Sequence, residues 1–213
     1  GPADKSVLIH CPAGLAVMSK FELNGWTFNT TPQAALNNRR GYQPRGKVLG
    51  GSSSINAMVY IRGQHADYDH WAAQGNPGWG WEDVKPYFVR AENNERGAND
   101  WHGRGGPFNV ADLRAPNRFS QYFTDAGVQA GHPHNTDFNG VTQEGVGLYQ
   151  VTHKNGERHS AAKGYLTPHL ARPNLQVITG AHATRILFEG TRAVGVELSL
   201  IHISEPTRQE AIS

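Results

Sequence analysis

Residues 45–69 read RGKVLGGSSSINAMVYIRGQHADYD, with two glycines, three serines and an asparagine ahead of an apolar run. Gly50 and Gly51 lack a Cβ, so the chain there can turn sharply and let a ligand approach the backbone. The hydroxyls of Ser52, Ser53 and Ser54 suit either a helix N-cap or the oxygens of a phosphate. If SINAMVYI opens a helix, its first amides and its dipole attract an anion. GGSSS alone reads better as a capped Gly–Ser turn. Two other spacings point to chemistry and fail on their details. Gly41-x-x-x-x-Gly46-Lys47 has the step of a nucleotide-triphosphate loop, but Val48 stands where Ser or Thr must hold magnesium, and Pro44 removes an amide from the cradle. His132-Pro133-His134 with Asp137 has neither a Cys partner nor helical His spacing, and reads as a solvated loop.

What narrows the reading is the spaced set Gly46, Lys47, Leu49, Gly50, Gly51, Ser52, Ser53, Ile55, Asn56, Tyr60, Gly63 and Asp69. That set resembles the first signature of the glucose-methanol-choline (GMC) oxidoreductases. NNRRGYQPRGK (37–47), WHGRGGPFNV (101–110), AGVQAGHPHNTDFNG (126–140), QEGVG (143–147), GERHSAAKGYL (156–166) and RPNLQVITGAHATRILFEGTRAVGVE (172–197) resemble the choline-dehydrogenase branch in the same order. The resemblance covers essentially all of 1–197.

It implies a mixed α/β fold: part of an FAD/NAD(P)-binding domain of GMC type (1–65 and 155–197) interleaved with substrate-domain segments (66–154). It also implies a parallel sheet lacking its first strand. Position by position it makes Val48, Gly51, Ser52, Asn56, Ala57, Met58 and Val59 cofactor contacts. Ala183 would meet the adenine end through a strand backbone. Choline oxidases carry, at the position of Ile55, a His that bonds the flavin; Ile cannot, so FAD is expected to be non-covalent. Asn56 can donate and accept, which suits the flavin or the substrate oxygen, with helix capping as the lesser alternative; Met58 could equally be a core residue, and Tyr60 reads better as core. Arg158 and Ser160 resemble a motif near the cofactor, with local capping equally open.

The implied reaction is FAD-dependent oxidation of a primary alcohol, choline or an aliphatic alcohol, to the aldehyde. Electrons would pass to a quinone or respiratory chain, or to oxygen. The family's catalytic His lies beyond 197, so no catalytic residue and no metal ligand is assigned here, and none of the 11 His replaces it. The other reading is a non-catalytic FAD-binding fragment or remnant, inactive by itself; a phosphate-binding domain would need GGSSS to act alone.

Composition agrees with a soluble globular chain. The 213 residues are 38% hydrophobic and 18% charged, and the net charge of +2 gives no nucleic-acid footprint. A single cysteine, Cys11, excludes an internal disulfide framework. No apolar run approaches the roughly 20 residues of a spanning helix, and GPADKS does not resemble a signal peptide. A cytoplasmic protein, with membrane association and homo-oligomer formation left open, is the expectation. No GxGxxG occurs in the chain, although the family begins with a strand–GxGxxG–helix unit; the chain is expected to start just after it. LSLIHISEPTR at 198–208 resembles the conceptual translation of a transposon-based sequencing adapter, so 198–213 are expected to be non-native. An amphipathic strand with a polar tail is the alternative.

The elements that must position these residues follow from periodicity. Residues 7–18 read as a loop or short helix, 26–31 as an extended segment, and 53–62 as the helix that the serines open. A short helix over 65–74 ends at Gly75. Trp81, Val84, Phe88 and Ala91 recur at helical steps within 79–95, where Pro86 is tolerable only near the first turn. Phe108 to Val110 reads as a strand and 119–130 as a helix stopped by Gly131 and Pro133. Residues 146–152 read as a strand, Asn155-Gly156 as a hairpin turn, 160–170 as a short helix, and 175–179, 183–188 and 193–197 as strands.

Overall fold

The computed structural model describes residues 1–200; of the adapter-like stretch, 201–213 lie outside the described residues. Ser6 accepts the Leu8 amide and caps α1 (Val7–His10), and α2 (Gly14–Lys20) follows. β1 (Gly25–Asn29) and β2 (Tyr42–Gly46) form an antiparallel ribbon that delivers Gly46 to the Gly-Ser turn. Next come α3 (His65–Ala73) and α4 (Trp81–Ala91), then β3 (Glu92–Asn94) parallel to β4 (Phe108–Val110), and α5 (Arg118–Gln129). β5 (His153–Lys154) and β6 (Glu157–Arg158) form a hairpin, as do β7 (Ala181–Glu189) and β8 (Arg192–Leu200). The mixed helix–strand class is as expected. The sheets are four separate two-stranded units, and only β3–β4 is parallel. Among the described residues no helix is long and apolar enough to cross a membrane.

Local chemistry explains most boundaries. Asn155 and Gly156 both take positive φ, 54° and 82°, the geometry of a two-residue hairpin turn. Pro86 lies well inside α4, deeper than the sequence allowed. It is tolerated because Glu82, whose carbonyl loses the bond, and Pro86 are both exposed, so water can serve that carbonyl. Asp69 Oδ1 accepts the Trp81 amide at 2.8 Å and ties α3 to the start of α4.

The expected helix over 53–62 is not formed. Gly51–Ser54 makes a single 3-10 turn, and the chain then runs extended. The Asn56 side chain takes the Met58 amide at 3.0 Å and Arg158 takes the Asn56 carbonyl at 2.7 Å. The groups that would propagate a helix are thus committed elsewhere. Residues 146–152 form no ladder, because their bridges go singly to different segments: Val146 to His134, and Val151 to both Val59 and Ala111. Nor do 175–179 form a strand; 160–170 are a π turn (Ala162–Leu166) and a 3-10 turn (Thr167–His169) containing Pro168. β8 runs past Glu197, with Leu198 opposite Ala183.

The apolar core is small: Ile9, Met18 and Val48, with Leu8 and Ile55 against it, seat α1 and α2 under the Gly-Ser turn. A second, polar core joins the far end of the signature to β3. Arg62 Nη2 donates to Glu92 Oε2 at 2.8 Å, and Arg62 Nη1 donates to the Trp101 carbonyl at 2.7 Å. His102 places Nδ1 3.0 Å from Glu92 and Nε2 2.9 Å from Asp137. Asp137, from the rejected metal pattern, is thus an ion-pair partner, and the described residues contain no metal-holding group of His, Cys, Asp or Glu.

Burial opposes the charged imidazole, but the hydrogen bonds that it donates to Asp137 and Glu92 outweigh it and raise His102 to about 9. A group raised on folding stabilises fully below its unfolded value, roughly 6.5, and loses that contribution as pH rises through about 9. The urea midpoint of the wild type should therefore decline between pH 6.5 and 9, and His102→Gln should be less stable at pH 6 with a flatter decline. Equal slopes for the two proteins in urea titrations across that range would contradict this account.

Candidate cofactor site

The Gly-Ser turn is built by close backbone packing. A Cβ on Gly46 would collide with the Gly51 carbonyl, and Ser52 Oγ accepts the Gly46 amide at 3.1 Å. Gly50 and Gly51 have φ of 84° and 56°, left-handed values that favour glycine. Ser53 Oγ donates to the Gly50 carbonyl at 2.6 Å and accepts the Ala161 amide at 2.9 Å. Buried Ser54 donates to the Leu49 carbonyl at 2.7 Å. Of the three hydroxyls, those of Ser53 and Ser54 are therefore spent on holding the turn, and only Ser52 keeps its proton for another partner.

Beyond the turn, Arg158 Nη1 donates to the carbonyl oxygens of Ser53 and Asn56 and to Asn56 Oδ1, at 3.2, 2.7 and 2.8 Å. Asn56 is thus held by a residue distant in sequence, and its capping role reduces to accepting the Met58 amide. Met58 is buried at φ 63°, an uncommon conformation for a non-glycine residue. Its carbonyl accepts from the Thr152 amide at 2.8 Å, and its sulfur lies 3.2 Å from His153 Nε2. Burial together with Arg158 and Arg114 holds His153 below the ordinary imidazole value, so it faces the thioether uncharged. With Met58 turned inward, Ala57 and Val59 are exposed. Among the described residues their amides meet no protein acceptor.

Val48 is packed in the core beneath the turn. Ala183 sits apart from 48–59, on exposed β7, yet its strand is anchored to the same region. His182 packs on Trp26 with centroids 5.1 Å apart, and Lys47 Nζ lies 4.3 Å above the Trp26 ring. A cavity of about 560 Å³ opens there, lined by Gly1, Pro2, Asn24, Lys47, Thr179 and Gly180 among others. A second, mostly apolar cleft of about 200 Å³ on the turn's other flank is lined by Met18, Tyr42, Pro44, Ser52, Ile55 and Asn56, among others. The Trp26–His182 contact and the depth of Arg158 were not legible in the sequence; the GERHS motif beside an Asn-Gly turn was the one available signal for Arg158.

These features fit an extended ligand carrying both a polar and a flat apolar part, such as FAD. Gly51 faces open space, one cleft borders the turn at Ser52, a larger cavity lies by Lys47, and the buried Arg158 Nη2 has no hydrogen-bond partner among the described residues. Gly46→Ala must force two backbones apart. Gly50→Ala combines left-handed strain with a contact of 2.5 Å to Ser54 Oγ, whereas a Cβ on Gly51 meets open space. Gly51→Ala should therefore cost only the left-handed term, about 1–2 kcal/mol, Gly50→Ala more, and Gly46→Ala the most. Urea denaturation of the three variants tests the ranking, and a Gly51→Ala loss equal to or above that of Gly46→Ala would refute the packing account.

Comparison with known proteins agrees with this geometry. The GMC oxidoreductase family matches residues 11–210. An alcohol dehydrogenase [acceptor] of Pseudomonas putida is 49% identical over 92% of this chain, and an oxygen-dependent choline dehydrogenase of Brucella anthropi 46% identical over 93%; the chain spans 36% of the length of each. Among solved structures, pyridoxine 4-oxidase from Mesorbium loti superposes with a TM-score of 0.86 at 30% identity over 93% of this chain and 39% of that one. An FAD-dependent oxidoreductase from Chaetomium thermophilum superposes with a TM-score of 0.88 at 29% identity, over 100% of this chain and 38% of that one. With a family match over most of its length and a compatible fold, the chain belongs to the GMC oxidoreductases, a family of FAD-dependent enzymes.

Proposed function

We propose that this chain supplies one wall of a non-covalent FAD site in a protein of its relatives' length, and that this protein oxidises a primary alcohol to the aldehyde. The observation that carries the reading is the open edge at 56–59, presented by a turn that lies within the stretch matched to the family. Val48, Gly51, Ser52, Asn56, Ala57, Met58 and Val59 form that wall, and Ala183 contributes from β7. Ser52 and Asn56 offer donors: the Ser52 hydroxyl proton, and Asn56 Nδ2, whose companion Oδ1 is already occupied. Ala57 and Val59 offer backbone amides, while Met58 fills the space behind them. Bound FAD supplies the two-electron acceptor for hydride leaving the alcohol carbon. The domain parts 1–65 and 155–197 flanking 66–154 are proposed on the same basis.

Two of the buried histidines are already engaged, and the family resemblance puts the group that takes the hydroxyl proton beyond residue 197. His102 is held between two carboxylates, and His159 Nδ1 accepts the Asn109 amide. The proton acceptor is therefore placed outside the described residues. The chain alone, which also contains no GxGxxG, is expected neither to hold FAD tightly nor to turn over alcohols. The curated relatives' names favour choline or a simple alcohol as substrate, with oxygen or another acceptor regenerating the flavin.

The full-length protein should be yellow, lose its flavin colour anaerobically with a primary alcohol or choline, and regain it on addition of an acceptor. Acid precipitation should leave all FAD in the supernatant, since the Ile55 side chain cannot form the linkage. Flavin retained on the washed precipitate would overturn the non-covalent assignment, and colour unchanged by every primary alcohol tried would overturn the reaction.

A further inference from the structure

Arg158 is 1% exposed, the bulkiest of the fully buried side chains. Its guanidinium joins three places: Nε donates to the Ile9 carbonyl of α1 at 2.9 Å, and Nη1 donates to Ser53 and to both oxygens of Asn56. Every acceptor is neutral. The ion pairs of the described residues engage Arg62, Arg96, His102, Lys163 and Arg185, but not Arg158. The adjacent Glu157 points the other way, to Lys163 at 2.5 Å on the exposed side of β6, as strand alternation requires. Nη2 is buried without any acceptor. A buried cation served only by carbonyl dipoles, with one donor edge empty, is costly in a fold that pairs its other buried charges. Burial accordingly lowers the Arg158 pKa, and no nearby carboxylate offsets it.

Negative charge arriving in the adjoining site would offset that cost. Hydride carries two electrons and one proton, so its acceptor gains one unit of negative charge. We propose that Arg158 is the positioning residue of the FAD site and its fixed positive charge: it locks Asn56 so that the edge at Ala57 and Val59 stays open, and it favours the reduced, anionic cofactor over the oxidised one. This rests on the FAD-binding reading above. It assigns to a residue of the β5–β6 hairpin a part in setting the cofactor's reduction potential.

The test uses the full-length holoprotein as wild type, Arg158→Lys and Arg158→Met. Readouts are the two-electron midpoint potential, from equilibration with a reference dye, and hydrogen exchange of the 56–59 amides. Arg158→Met should bind reduced FAD at least tenfold less tightly relative to oxidised FAD, a potential lower by about 30 mV for each tenfold. Arg158→Lys should restore most of the potential while leaving the 56–59 amides exchanging faster than wild type, because an ammonium keeps the charge but not the fork. A potential in Arg158→Met equal to that of wild type overturns the proposal, even if its FAD is lost more readily. Should the Met variant not fold, Arg158→Gln, which retains a donor but no charge, decides by the same criterion. A wild-type protein that holds no FAD would instead sink the cofactor reading, whatever the variants do.

Discussion

A single buried guanidinium holds together parts of the chain that have no local reason to meet. Arg158 reaches the Ile9 carbonyl 149 residues away in sequence, and the Ser53 and Asn56 carbonyls 105 and 102 residues away. The Gly-Ser turn is a single 3-10 turn whose backbone bonds, among them Gly51 to Val48 and Asn56 to Ser52, do not extend beyond it. Its shape is imposed from below by Arg158 and from the side by Gly46, which only a glycine-sized residue can occupy against the Gly51 carbonyl. Asn56, held at both its carbonyl groups, then directs Met58 inward at φ 63°. The exposure of Ala57 and Val59 follows. Sequence, packing and accessibility of the proposed wall are thus consequences of one set of hydrogen bonds.

The rest of the interior is organised on the same principle. Few apolar side chains are fully buried, and the chain relies on amides and charges that satisfy one another. Asn94 Nδ2 lies within hydrogen-bond distance of Glu92, His102 and Gln150, and Asn139 receives the Arg62 amide and donates to the Tyr60 carbonyl. Buried polar groups of this kind persist because their partners satisfy them, although Arg62 Nε finds no partner among the described residues. These bonds fix the course of 60–62 past 92–102 and 135–139.

Outside this network large apolar surfaces are open. α5 shows Phe119, Tyr122 and Phe123 to solvent, while its one buried residue is Thr124. Trp79 and Tyr87 flank a groove between α3 and α4, and Ile186 and Phe188 lie exposed on β7. Patches of this size mark contact surfaces in stable proteins. In a protein of the relatives' length they are the faces available to its remaining segments.

Much of the site was legible in the sequence because its cause is local. Glycine tolerance of positive φ, the Asn-Gly hairpin, the three- and four-residue steps of Trp81, Val84, Phe88 and Ala91, and the spacing of the signature depend only on neighbours along the chain. The helix expected over 53–62 failed because propensity does not register a distant competitor: Arg158 and the Asn56 side chain claim the backbone groups that the next turn would need. The strands expected at 146–152 and 175–179 failed because a ladder requires a partner, and the apolar pattern of one segment does not name it. Likewise the sequence by itself, through its family resemblance, proposed the residues around a cofactor. Only the tertiary structure decided that Ser53 and Ser54 are consumed internally, that His182 beside Ala183 packs on Trp26, and that Arg158 lies beneath the turn without a counter-charge among the described residues. Burial and pairing are properties of contacts between remote segments, and they exist only once the chain has closed on itself.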